Sequence, residues 1–114
     1  MVSSGTSALL IAMIAIGLKK NDTILIPERS WISLLNAASI LGLKVQCIDV
    51  KKDKPVIDEK LFEKLNTKAK AIVVVHMGGR SPQMKEIIKI AKRKNIKVIE
   101  DAAQAFGSKY QHKN

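Results

Sequence analysis

Ala71-Ile72-Val73-Val74-Val75-His76-Met77-Gly78-Gly79 is the stretch that decides how this chain folds. Its continuous apolar run, rich in β-branched residues and without alternation, describes a strand buried on both faces, as in a parallel sheet covered by helices on either side. His76 and the two glycines then stop it with polar and turn chemistry. Upstream, Asp58 precedes a short amphipathic helix with Leu61, Phe62 and Leu65 on one face. Downstream, Ser81 is placed to cap and Pro82 to start a helix in which Met84, Ile87, Ile88 and Ala91 follow helical spacing. Further strands are expected at Asp22 to Pro27, Lys44 to Asp49 and Lys97 to Glu100. Helices are expected at Ala8 to Leu18 and, with Ser30 as its cap and Gly42 as its stop, at Trp31 to Leu41. Strand and helix alternate without hairpin signals, which implies a three-layer α-β-α fold with a mainly parallel sheet. The strand ends then share one sheet edge, where ligands bind in such folds.

With 114 residues the chain is one domain at most, and no linker or repeat divides it. The net charge of +10 is carried mainly by lysine, since Arg29, Arg80 and Arg93 are the only arginines. Aromatics make up 4%, too few for a stacking nucleic-acid platform, so the lysines are read as solvated surface and no nucleic-acid partner is expected. The single Cys47, between Gln46 and Ile48, is read as a core thiol, and a chain without internal disulfides fits a reducing compartment. Ala8 to Leu18 is too short to cross a bilayer and lacks a preceding basic residue, so no membrane is expected and the location is cytoplasmic. That helix is apolar on every side. A single sheet face cannot cover it, so a further part of the protein or a second subunit should. The helix from Trp31, polar only along Ser33, Asn36 and Ser39, should also be mostly buried.

Four groups at the sheet edge could carry chemistry. Ser3-Ser4-Gly5-Thr6-Ser7 opens the first helix with free N–H groups, hydroxyls and the positive end of the helix dipole, which suits a phosphate as well as an ordinary N-cap. Trp31, just past a strand end, could stack on an aromatic ligand or fill the core. Glu100 and Asp101 must point to opposite faces, so one is functional and the other structural; Asp101 is the choice, with helix capping as the alternative. Gln104 follows it by three residues and could face the same ligand if the chain turns helical. His76 has neither metal-ligand spacing nor a paired nucleophile, and is read as a satisfied, partly buried histidine. A phosphate cup, a flat aromatic and a carboxylate suit a phosphorylated heteroaromatic ring with a basic nitrogen, and pyridoxal 5'-phosphate meets that description.

These residues resemble the sugar aminotransferases of the DegT/DnrJ/EryC1/StrS group, pyridoxal-phosphate enzymes with the aspartate-aminotransferase type of large domain. Ser4-Gly5-Thr6-Ser7-Ala8-Leu9 is similar to the family's phosphate-binding segment, and Pro27 through Asn36 to its Pro-x-x-(Thr/Ser)-(Phe/Trp) segment. Val75-His76-Met77-Gly78-Gly79 resembles its Val-His-x-x-Gly, and Ile99 through Gly107 its Ile-Glu-Asp-Ala-Ala-(Gln/His)-Ala-x-Gly. The resemblance implies that Gly5 and Thr6 hold the cofactor phosphate, Trp31 stacks on the ring, Asp101 pairs with the pyridine nitrogen and Gln104 contacts the ring hydroxyl side. No lysine matches the family's Schiff-base lysine, which the resemblance puts further downstream. Residues 1–114 are therefore expected to be a partial large domain, without the N-terminal segment, the lysine segment and the small C-terminal domain, and inactive alone. The complete enzymes move an amino group, usually from glutamate, to a nucleotide-linked keto sugar, and are homodimers. Two other readings stay open: a non-catalytic α/β module binding a phosphate ligand or partner chain, and a pyridoxal-phosphate sugar dehydratase of the same family.

Overall fold

The structure, a computed structural model, describes residues 1–109. Its centre is a four-stranded sheet of β1 (Thr23–Pro27), β2 (Lys44–Ile48), β3 (Ala71–Val75) and β4 (Lys97–Asp101). All pairings are parallel and the order is β2-β1-β3-β4. The central β3 is buried along its whole length, whereas β2 and β4 at the edges are mixed. On one face lie α1 (Gly5–Ala15) and α2 (Ser33–Ile40), whose Leu9, Met13, Leu34 and Ala37 pack with Ile24, Ile26, Val73, Val75 and Ile99. On the other lie α3 (Glu59–Lys64) and α4 (Met84–Arg93), whose Phe62, Ile87, Ile90 and Ala91 pack with Leu25, Ile72 and Val74. This is the expected three-layer parallel fold. The chain runs outward from β1 to β2, then crosses back to β3 and β4. The reversal leaves a crevice between the ends of β1 and β3.

Local chemistry explains most boundaries. Ser4 caps α1, with its Oγ accepting the Ser7 N–H at 3.1 Å, so the helix begins three residues before Ala8. Asp58 caps α3 by accepting the Lys60 N–H at 2.8 Å. Gly42 closes α2 at φ +63°, where an L side chain is strained. Lys97 Nζ donates to the Ile16 carbonyl at 2.6 Å, and Lys94 Nζ to Leu65 at 2.9 Å, so cations meet the negative ends of α1 and α3. Asp22 accepts the Lys19 N–H at 2.9 Å and lies 3.3 Å from Lys70 Nζ. The Lys19 N–H first, and Lys70 after it, hold the Asp22 carboxyl below its ordinary value.

Five expectations are corrected. Ser30 does not cap α2: the chain first makes a turn in which the Trp31 carbonyl accepts the Leu34 N–H at 3.2 Å, and the helix starts at Ser33 behind Ile32. Ser81 and Pro82 do not open α4, because the Pro82 carbonyl is taken by the Met84 N–H at 2.8 Å and the helix starts there. Cys47 is exposed, since it sits on the edge strand β2 where the helix layer ends. Within this chain α2 buries only Leu34, Ala37 and Ala38, because one sheet face covers one stripe of a helix. Finally, Leu61 and Ile88 are 41% exposed, with Phe62 and Ile90 taking the inward positions. Ile11 and Ile14 of α1 and Leu35 and Ile40 of α2 stand 40–68% exposed on the outer side of their layer. Among the described residues no helix is long and apolar enough to cross a membrane, and no cluster of acidic, histidine or cysteine side chains could hold a metal.

Candidate active site

The path of α1 brings its amino end to the sheet edge where the strands finish. Lys97, the first residue of β4, reaches the carbonyl just past the end of α1, and the chain then enters β1, which is parallel to β4. The helix therefore runs antiparallel to the strands. Eleven helical residues span about 16 Å, as do five strand residues, so the first turn of α1 lies near the end of β4. There Gly5 and Thr6 present N–H groups that no helical carbonyl can satisfy. Gly5 is exposed, and a Cβ built on it meets nothing within 4 Å. Open space at a positive helix end admits an anion.

Which face each carboxylate of β4 occupies follows from its neighbours. Ile99 belongs to the core under α1 and α2, so Asp101, two residues on, emerges on that side with the α1 amino end. Val98 packs on the α3 and α4 side, and so Glu100 emerges there, 2.7 Å from His76 Nε2. The expected satisfied, partly buried histidine is corrected: His76 is buried at 5% exposure and its Nε2 lacks hydrogen-bond alignment with Glu100, so the contact is a close polar approach rather than a satisfied bond. The sequence reading missed this pair, because the signal appears only once β3 and β4 are known to be neighbours.

Asp101 is half-buried, and its Oδ1 also accepts the Ala103 N–H at 3.1 Å. That bond fixes the carboxylate and leaves its other oxygen available. After β4 the chain makes turns rather than a helix, with Ala105 N–H on Ala102 O at 2.8 Å and Ser108 N–H on Ala105 O at 2.9 Å. Gln104 is nevertheless anchored: its Oε1 accepts the Gly78 N–H at 2.8 Å, in the kinked pair of turns over Met77–Gly79 that follows β3. Gly78 and Gly79 have φ of +61° and +75°, the left-handed region that glycine adopts without strain. Trp31 lies at the end of β1 with 67% exposure, so it does not fill the core. The end of β1, the end of β4 and the start of α1 thus bring an aromatic plane, a carboxylate and an open helix amino end to one sheet edge.

The family model described as DegT/DnrJ/EryC1/StrS aminotransferase family matches residues 1–114. Among characterised relatives, GDP-perosamine synthase of Escherichia coli O157:H7 is 36% identical over 113 residues, covering 98% of this chain and 31% of that protein. The solved structure of S. venezuelae DesV superposes with a TM-score of 0.93 at 30% identity, over 99% of this chain and 31% of that one. A GDP-4-keto-6-deoxymannose-3-dehydratase, solved with a trapped PLP-glutamate geminal diamine, gives 0.88 at 31% identity over 99% and 31%. The chain spans less than a third of the length of the relatives it matches.

Proposed function

The chain belongs to the DegT/DnrJ/EryC1/StrS aminotransferase family, and on that premise we propose that it forms the cofactor-holding part of a pyridoxal-phosphate-dependent aminotransferase acting on nucleotide-linked keto sugars, with glutamate as amino donor. Residues 1–114 correspond to part of the large domain in this reading. The N–H groups of Gly5 and Thr6, with the dipole of α1, bind the cofactor phosphate. Trp31 covers one face of the ring and keeps water from it. The Asp101 carboxylate accepts a hydrogen bond from the protonated ring nitrogen and holds that proton in place; Gln104, tethered to Gly78, orients the ring from the hydroxyl side. Pyridoxal phosphate, when bound, supplies an electron sink for negative charge developing beside the transferred nitrogen. The exposed apolar side of α1 and α2 supports a second copy of the chain covering that layer, as a homodimer.

One observation carries the reading: Asp101 stands on the face of the α1 amino end while its neighbour Glu100 turns to the other face. An absorbance titration of the chain with pyridoxal phosphate, beside Asp101→Asn, tests it. Borohydride reduction and intact mass then count the adducts of surface lysines. Saturable binding that weakens roughly tenfold in the variant is expected, one unit of pKa difference being worth about 1.4 kcal/mol. Equal binding by scattered lysine adducts refutes it.

A sugar dehydratase is the second reading, supported by the likeness to GDP-4-keto-6-deoxymannose-3-dehydratase at 31% identity, beside 30% for DesV. The residues described here serve either reaction in the same way. Products formed by the complete protein with glutamate and a nucleotide-linked keto sugar separate them: an amino sugar in one case, loss of water in the other.

A further inference from the structure

His76 is the one buried polar residue among those described, and the proposed cofactor contacts do not use its side chain. Its Nε2 has no aligned hydrogen bond, only the 2.7 Å approach to Glu100 Oε1, whose side chain is 54% exposed. Leaving a buried polar group without a full partner is destabilising, so an aliphatic residue would serve the core better.

The main chain of His76 joins the same elements that hold the site. Its N–H donates to the Asp101 carbonyl at 3.0 Å, and its own carbonyl accepts the Gly79 N–H at 3.2 Å, closing the turn whose Gly78 holds Gln104. In the β3–β4 register Val74 faces Glu100 and Val75 faces Asp101, so His76 reaches back along the far side of the sheet to lie against Glu100.

We propose that His76 and Glu100 are a positioning pair, which holds the end of β4 against the end of β3 and thereby sets where Asp101 and Gln104 stand on the cofactor side. This role rests on the binding of pyridoxal phosphate at this edge. Neither side chain touches the ring. Because Glu100 and Asp101 are adjacent on one strand, a twist at one is a displacement of the other, and the contact beneath the sheet removes that freedom.

Calorimetric titration of the 114-residue chain with pyridoxamine 5'-phosphate, which lacks the aldehyde that reacts with surface lysines, tests the pair. Glu100→Ala is expected to weaken binding about fivefold with an unchanged melting midpoint, and Glu100→Gln, which keeps an acceptor, to restore most of the loss. The double variant with Asp101→Asn should bind no more weakly than Asp101→Asn alone, since residues acting through one contact are non-additive. Wild-type affinity in Glu100→Ala overturns the proposal, as do additive losses in the double variant or a melting midpoint that falls in step with affinity. If Asp101→Asn also binds like wild type, or the wild-type chain binds nothing, the cofactor reading itself falls. A loss confined to Asp101→Asn leaves that reading intact and removes only the positioning pair.

Discussion

Replacing Gly5 by alanine should push folding and binding in opposite directions. Gly5 is the first residue of α1, and nothing lies within 4 Å of the place its Cβ would take, so the methyl group meets no clash. Glycine costs up to about 1 kcal/mol against alanine in a helix interior. Half of that is reasonable in the first turn, or about 0.5 kcal/mol of added stability. For a chain of this size that is a rise of roughly 2–4 °C in the melting midpoint. The same open space is where a phosphate must approach the Gly5 and Thr6 N–H groups to about 2.9 Å. Displacing it by a methyl group forfeits one hydrogen bond to a charged partner, about 1.5 kcal/mol, or roughly a tenfold loss of affinity. Scanning calorimetry reads the first effect. Titration with pyridoxamine 5'-phosphate reads the second, with unphosphorylated pyridoxamine as the control whose affinity should not change. Undiminished affinity for the phosphorylated ring, or equal losses for both ligands, would refute the assignment of this helix end to phosphate.

Trp31→Ala should leave the melting midpoint within the range of ordinary surface substitutions, about 0.5 kcal/mol, because the ring is 67% exposed. It should weaken pyridoxamine 5'-phosphate about fivefold through the lost stacking, and a large fall in stability with unchanged affinity would mean that Trp31 is a packing residue after all. Asp22→Asn tests the joint between α1 and β1. The Asp22 carboxyl is held below its ordinary value of 3.8 in the fold, so its stabilisation is complete above that value and is lost as pH falls through the lower, folded one. The variant should therefore be less stable than wild type at neutral pH and converge on it under acid. A pH-independent gap between the two denaturation curves would contradict the charge-based account.

The parallel fold was legible because β3 is uniformly apolar, and no edge or hairpin strand has reason to be. That Glu100 and Asp101 leave β4 on opposite faces was legible too, since strand alternation alone requires it. What escaped depended on neighbours distant in sequence. The pairing of His76 with Glu100 needs the strand order, and the exposure of Cys47 needs to know that β2 lies at an edge. Ser30 and Ser81 carry good capping chemistry, but tight turns at Trp31 and Pro82 come first and delay both helices. The all-apolar composition of α1 described a helix covered on every side. In this chain it is covered on one, and Ile11 and Ile14 mark the difference.

The two outer strands have a consequence for how copies of this chain meet. Open sheet edges invite strand addition, the route to runaway aggregation, and proteins discourage it with charge. β4 carries Lys97, Glu100 and Asp101, and β2 carries Lys44 and Gln46, whereas the inner β3 has no polar residue at all. A second sheet docking on either margin would have to strip water from those groups. The charge on both margins thus works against endless edge-to-edge growth between copies of this sheet.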